Sequence, residues 1–252
     1  MSDNQLVNRH VLARLLLTTS FFAYAAAFAQ PVPHQGVPGG GAWLAGEFAA
    51  AYQEAVAAET APAQLLAARA AADQAVYLEG ESGEALPWLE RAEAAALRAL
   101  ELEPEGPLAA AATMALARAK GEAGLHRGAL ANARLPGELR SLFERTLELD
   151  PQNADALVAY AAWHYALTEI GVGWLYGGDR AQVLPLMERG LGAAPRQINL
   201  RVEYARVLFG LGREEEGREQ VKLALELPAL NAADEFEQAR ARELLATLDD
   251  LP

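Results

Sequence analysis

The sequence predicts an all-α protein, an α-solenoid of stacked antiparallel helical hairpins with two enlarged intra-hairpin loops. Three observations carry that expectation. Beyond Ala42, Ala, Leu, Glu and Arg dominate, and no stretch shows the period-two alternation of a half-buried strand. Four segments close alike, "ALELEP" at Pro104, "TLELDP" at Pro151, "GLGAAP" at Pro195 and "LALELP" at Pro228, each an amphipathic helix tail that proline cannot continue. Reading back from each stop, a small/large stripe recurs: Ala92/Ala96/Ala99, Leu139/Phe143/Thr146, Val183/Met187/Gly190 and Gly217/Val221/Ala224. A spacing of four then three keeps each set on one helix face.

The elements follow in order. Composition alone places helices at 43–59 and 62–79. The helix expected at 84–102 carries the first stripe, and 107–123 follows it. The second stripe places 137–149, and Pro151 opens a helix over 153–169. Asp179 is the expected N-cap of 180–193, which carries the third stripe. In 197–211 the pair Tyr204-Ala205 repeats Tyr160-Ala161 at an offset of 44 residues, a bulky residue beside a small one where helices approach closely. The fourth stripe lies in 213–227, whose start "REEEGRE" is ordinary charged helix surface. The last helix, 232–248, is expected to turn Phe236, Ala239, Leu244 and Leu245 inward and its charges outward, as a terminal cap does.

The stripes end 47, 44 and 34 residues apart, and 34 is the period of a stacking helix–turn–helix repeat. The excess in the first interval falls at 119–138, and in the second at "EIGVGWLYGGDR", 169–180. Insertions at equivalent places in a stacked array emerge on one rim, often the binding one.

Composition narrows the chemistry. The 252 residues are 52% hydrophobic and 22% charged, with no cysteine and hence no disulfide, thiol nucleophile or Cys-based zinc site. His10, His34, His126 and His164 form no i,i+4 pair that would seed a metal site, and Ser2, Ser20, Ser82 and Ser141 lie outside any nucleophile-elbow setting. Neither catalysis, a cofactor nor a metal is expected. At the N-terminus, Arg9, His10 and Arg14 precede an apolar run of 14 residues, Leu15 to Phe28, and Ala27 and Ala29 stand at an A-x-A spacing. That is the layout of a signal peptide over 1–29, too short for the roughly 20 residues of a spanning helix. A Pro/Gly linker is expected over 30–42 and the repeat domain over 43–252, periplasmic or secreted, meeting the membrane only through the signal peptide before cleavage. Removing Arg9, Arg14 and Asp3 leaves 19 basic and 33 acidic residues, a field that repels nucleic acid.

Gly171, Gly173, Gly177 and Gly178 do not make a phosphate loop. Tyr176 stands where the third glycine of a dinucleotide fingerprint belongs, and Asp179-Arg180 stands where a Walker loop has Lys and a hydroxyl. Glycine there serves a helix end and a tight turn. Trp174 and Tyr176 either staple the loop to the array or line a pocket with Tyr160, Trp163 and Tyr165. His164 reads as a hydrogen-bonded core histidine. Arg118, Lys120, Arg127 and Arg134 add local positive charge, which near an aromatic loop suits a carboxylate or acidic peptide end.

"DPQNADALVAYAAWHYAL" resembles the start of a tetratricopeptide repeat (TPR), with Pro151, Leu157, Tyr160 and Ala161 at that motif's large and small positions. His164 stands where a large apolar residue is usual. More narrowly, "LFERTLELDPQNADALVAYAAWHY", "LYGGDRAQ" and "AADEFEQARARELL" resemble exported bacterial TPR proteins similar to the repeat domain of the regulators of microtubule dynamics. They are also similar, more weakly, to the TPR subunit associated with TRAP transporters, usually a lipoprotein, whereas this chain has no cysteine to acylate. The resemblance implies a TPR-like binding or scaffold protein whose helical groove takes a protein or peptide partner. The alternative is a periplasmic small-molecule-binding or transporter-associated component. The candidate partner-binding residues are Tyr160, Trp163, His164, Trp174, Tyr176, Arg127 and Arg134.

Overall fold

A computed structural model describes residues 36–80, 82–127 and 132–249, so the signal peptide expected over 1–29 lies outside the described residues. Among the described residues every regular element is helical. The helices are α1 (Gly40–Leu44), α2 (Phe48–Val56), α3 (Ala61–Asp73), α4 (Ala85–Leu102), α5 (Gly106–His126) and α6 (Leu135–Leu149), followed by α7 (Ala154–Glu169), α8 (Gly173–Tyr176), α9 (Val183–Ala193), α10 (Ile198–Gly210), α11 (Glu214–Glu226) and α12 (Ala232–Asp249). A π-helical turn, Gln74–Glu79, extends α3, and a 3₁₀ turn, Arg180–Gln182, leads into α9. Among the described residues no helix is long and apolar enough to cross a membrane.

Hairpins form between α3 and α4, α5 and α6, α7 and α9, and α10 and α11. The second helix of each hairpin is amphipathic, and the stripe it buries is the one read from the sequence, down to Gly190 and Gly217. The first helix differs. α3 is buried without a break from Ala63 to Asp73, and α5 and α7 are buried on almost every side. Their alanine content explains this, because small side chains let a helix take neighbours all round at close range. Local chemistry sets the starts. Pro62, Pro107 and Pro136 occupy first turns, and Asn153 caps α7 by accepting a hydrogen bond from the Ala156 N–H at 3.0 Å. At α12 the Asp234 N–H donates to Asn231 Oδ1 at 3.0 Å, and the Leu230 N–H donates to Asp234 Oδ2 at 2.9 Å.

The array closes on itself. α12 packs on α10 and α11 and also returns to α1 and the π-turn after α3. Phe236 stacks on Tyr77 with ring centroids 5.0 Å apart, and Phe48 lies 6.3 Å from Phe236. Gly46, at φ +81°, turns the chain between α1 and α2, and a Cβ there would come 2.8 Å from the Ala232 methyl. Backbone conformation and close approach both demand glycine at that position.

Several expectations are corrected. The stretch 119–138 is not an enlarged loop, since α5 runs on to His126 and leaves only 127–134 between helices. Gly121 and Gly124 weaken intrinsic propensity, but both are buried in helix–helix contact that rewards small residues. The helix expected at 43–59 is two helices broken at Gly46, and the part of the linker from 36 to 42 runs into α1 rather than hanging free. On α12 the inward stripe is Ala233, Phe236, Glu237, Ala241 and Leu244, whereas Ala239 is exposed. Two charged side chains, Glu237 and Arg240, share that inward face, so an apolar reading misplaces it by one register step.

Two glycines of α9 test the packing. At Gly190 a Cβ would lie 2.6 Å from Val158 Cγ2 and 3.1 Å from the Ala154 carbonyl, whereas nothing lies within 4 Å at Gly192. In urea unfolding, Gly190→Ala is expected to cost about 1–3 kcal/mol through overpacking. Gly192→Ala is expected to gain about 0.5 kcal/mol from helix propensity.

Candidate functional site

Two places concentrate chemistry, one at a rim and one inside. At the rim, the segment 170–182 leaves the end of α7 and is held by named bonds. The Gly177 and Gly178 N–H groups both donate to the Gly173 carbonyl at 2.8 Å. The Asp179 N–H donates to His164 Nδ1 at 2.9 Å, and Asp179 in turn caps the following turn through the Ala181 N–H. Arg180 pairs with Glu169 across the base of the loop. Tyr176 reaches to the neighbouring hairpin, its hydroxyl donating to the Ala133 carbonyl at 3.1 Å, while Arg140 donates to the Tyr176 carbonyl at 3.2 Å. A side chain at Gly177, whose φ is +82°, would strike the Arg140 guanidinium. The two adjacent intra-hairpin connections therefore touch on one end of the array.

The other aromatic candidates lie beneath this loop. Trp163 is buried and donates from Nε1 to the Pro136 carbonyl at 3.1 Å. The Tyr160 hydroxyl donates to Glu144 at 3.0 Å, and Glu144 also receives Arg140 at 2.8 Å, which holds its carboxyl below the usual range. His164 is buried 4.4 Å from the Tyr160 ring. Burial lowers its pKa and Nδ1 accepts a backbone hydrogen bond, so the imidazole is neutral near pH 7. Tyr160, Trp163 and His164 thus form a support that joins α6, α7 and the loop, with no open wall of their own. Arg127 latches the end of α5 to α4 through Glu93 at 3.1 Å, and Arg134 is exposed ahead of α6. What projects into solvent is Trp174 at 84% exposure, with Leu175 at 56% and Ile170 at 47%.

The interior site is one that sequence reasoning misses. Inward faces of α3, α5, α7, α10 and α12 bring ionisable groups together. Asp73 is central: its Oδ1 lies 2.7 Å from Arg118 Nη1, and its Oδ2 accepts the Trp43 indole N–H at 2.7 Å. Arg69, one turn before Asp73, is within electrostatic reach of Asp155 and Asp73, with the Asn199 amide also beside Asp155. Desolvation lowers Arg69 to about 10 and raises Asp155 to about 7. On α5, Glu122 stands one turn after Arg118, within electrostatic reach of Arg240, Arg206 and Glu203. Its Oε1 accepts no hydrogen bond among the described residues, and burial raises its carboxyl to about 7. At the seam the Tyr77 hydroxyl donates to Glu237 at 2.9 Å, and Arg240 binds the same carboxylate at 3.0 Å with its guanidinium 5.0 Å from the Tyr77 ring. Burial, then the Glu237 charge, keeps the phenol protonated.

The sequence does carry a signal for this cluster. Arg69 and Asp73 stand four apart inside the alanine-rich α3, and Arg118 and Glu122 repeat that spacing in α5. Charges with small apolar neighbours on every side have no solvated face to occupy. No group of metal-binding side chains occurs among the described residues. No family model matches the chain, and no curated protein matches it.

The central ion pair makes a direct prediction. Asp73→Ala removes the carboxylate 2.7 Å from a buried guanidinium and is expected to cost about 3–5 kcal/mol in urea unfolding. Replacing both partners, Asp73→Leu with Arg118→Met, is expected to recover more than half of that loss. A single variant costing less than about 1 kcal/mol would mean the pair behaves as a surface salt bridge does.

Proposed function

We propose that this chain is an exported, TPR-like helical-repeat module that binds a protein or peptide partner through the rim formed by Ile170, Trp174 and Leu175, and that it is not an enzyme. One observation carries the reading: Trp174 is 84% exposed on a loop that is otherwise fixed by hydrogen bonds. An indole left in water on a rigid support is a large apolar surface ready to be covered, with little ordering to lose on binding. The TPR-like assignment is supported by the hairpin order and by the interval of 34 residues between Gly190 and Ala224, the last stripe members of α9 and α11. The rim is a better docking surface than the inner wall, whose helices are buried on almost every side.

The small-molecule or transporter-associated alternative draws on a different observation, the polar groups of several helices that converge in the interior around Arg69, Asp155 and Asn199. Affinity capture from host extract separates the two. With Trp174→Ala/Leu175→Ser, the yield of a specific partner is expected to fall by more than about tenfold, the scale of an interface hot spot. The far-UV spectrum is expected to be unchanged, because both side chains are mostly in solvent. Equal capture by both proteins overturns the rim reading. A non-covalent small molecule retained by both in native mass spectrometry supports the alternative.

A further inference from the structure

We infer that the partner covering the rim is an acidic-apolar protein segment, which sets an Asp or Glu against Arg134 while a large apolar residue covers Trp174. This rests on the rim reading above and assigns the partner's chemistry. Arg134 stands where the two intra-hairpin connections meet. Tyr176, two residues past Trp174, donates from its hydroxyl to the Ala133 carbonyl at 3.1 Å, and Arg134 is the next residue. Its backbone is held at the start of α6. The Arg134 carbonyl accepts the Glu138 N–H at 3.1 Å, and Leu135 and Pro136 behind it are buried.

The charges of the rim differ in sign from those of the chain. The connections 127–134 and 170–182 carry Arg127, Arg134 and Arg180 against Asp179, three positive charges to one negative, in a chain of formal net charge −13. Two of those arginines are committed, Arg127 to Glu93 at 3.1 Å and Arg180 to Glu169. The neighbouring Arg140 pairs with Glu144 at 2.8 Å, and Lys120 with Glu138 at 3.1 Å. Asp179 Oδ1 accepts the Ala181 N–H at 2.9 Å. Arg134 is exposed and makes no ion pair among the described residues. The start of α6, which no side chain caps, sets a positive dipole end beside it.

These signs select between partners. A basic segment is attracted over the acidic surface at large and is repelled at the rim by Arg134. An acidic segment is repelled elsewhere and meets an uncommitted guanidinium only where Trp174 and Leu175 are also exposed. Exposed charges act over about 8 Å at physiological ionic strength, so the local sign at the rim outweighs the distant excess of acid. A carboxylate on Arg134 accepts charge-assisted hydrogen bonds from its fork of donors, and the indole supplies the apolar area.

Panning a phage-displayed library of random peptides against the full chain reads the partner's composition directly. Wild type is expected to enrich peptides that combine Leu, Phe or Trp with Asp or Glu, by on the order of tenfold over the starting library. Arg134→Gln, a change at an exposed residue, is expected to keep the apolar residues while Asp and Glu return to library frequency. Apolar peptides without acid, peptides rich in Lys and Arg, or an acidic preference that survives Arg134→Gln would each overturn this inference and leave the rim reading standing. Enrichment that is unchanged in Trp174→Ala/Leu175→Ser, or absent from wild type, overturns both.

Discussion

Everything in this array depends on how it disposes of the Asp73 carboxylate. A carboxylate and a guanidinium removed from water lose several kcal/mol of solvation each, and their attraction restores that only when further hydrogen bonds complete the arrangement. Here the completion comes from a distant part of the chain, the Trp43 indole of α1, at 2.7 Å. α3 and α5 could leave their charged faces to solvent in an open stack. Instead α1, α7, α10 and α12 each bring a polar side chain to the interior, Trp43, Asp155, Asn199 and Glu237. A slip of one turn would part Asp73 from both Arg118 and the Trp43 indole. The apolar gain that drives closure lies alongside these groups, in the Phe48, Tyr77 and Phe236 rings.

The division of labour between helices follows from the same constraint. Outer helices carry one buried stripe and leave their charges in water, where pairs such as Arg98 with Glu59 contribute modestly. Inner helices have fewer such outlets. Many of their buried polar side chains are cluster members or make local bonds, as with Thr113, whose hydroxyl donates to the Ala109 carbonyl at 2.8 Å. Alanine supplies the rest, because it permits close approach without demanding a cavity.

That difference also explains what is legible in the sequence. Outer helices declare themselves, since an amphipathic stripe and a proline stop are local features: the spacing of Leu139, Phe143 and Thr146 puts them on the buried face, and they lie there. Asp179 is legible as a cap for the same reason. The inner helices are legible too, but not their inward polarity. Arg118 reads as surface charge unless one knows that Asp73 of α3 and Tyr77 of the turn after it face it. Nor does any local feature reveal that Phe236 meets Tyr77, which is 159 residues away. At 119–138 intrinsic propensity misleads: Gly121 and Gly124 lower it, and tertiary packing restores the helix as far as His126. At the rim, aromatic character alone does not separate Trp174 from Trp163, because burial depends on which helix face meets a neighbour.

The rim and the interior meet in α7. Asp155 in its first turn faces the charged cluster, while Ile170 just past its last turn stands at the rim, about 22 Å away at the rise of an α-helix. Along that length α7 serves two cores at once. Ala156, Ala159, Trp163 and Leu167 belong to the one shared with α3, α5 and α6, whereas Leu157, Val158, Ala161 and Tyr165 belong to the one shared with α9 and α10. A helix gripped on both sides cannot shift without disturbing both. The exposed indole is therefore joined to a helix packed on two sides, through a loop tied at Asp179 and Tyr176. Covering Trp174 would therefore bury that ring with little ordering of its support to offset the gain.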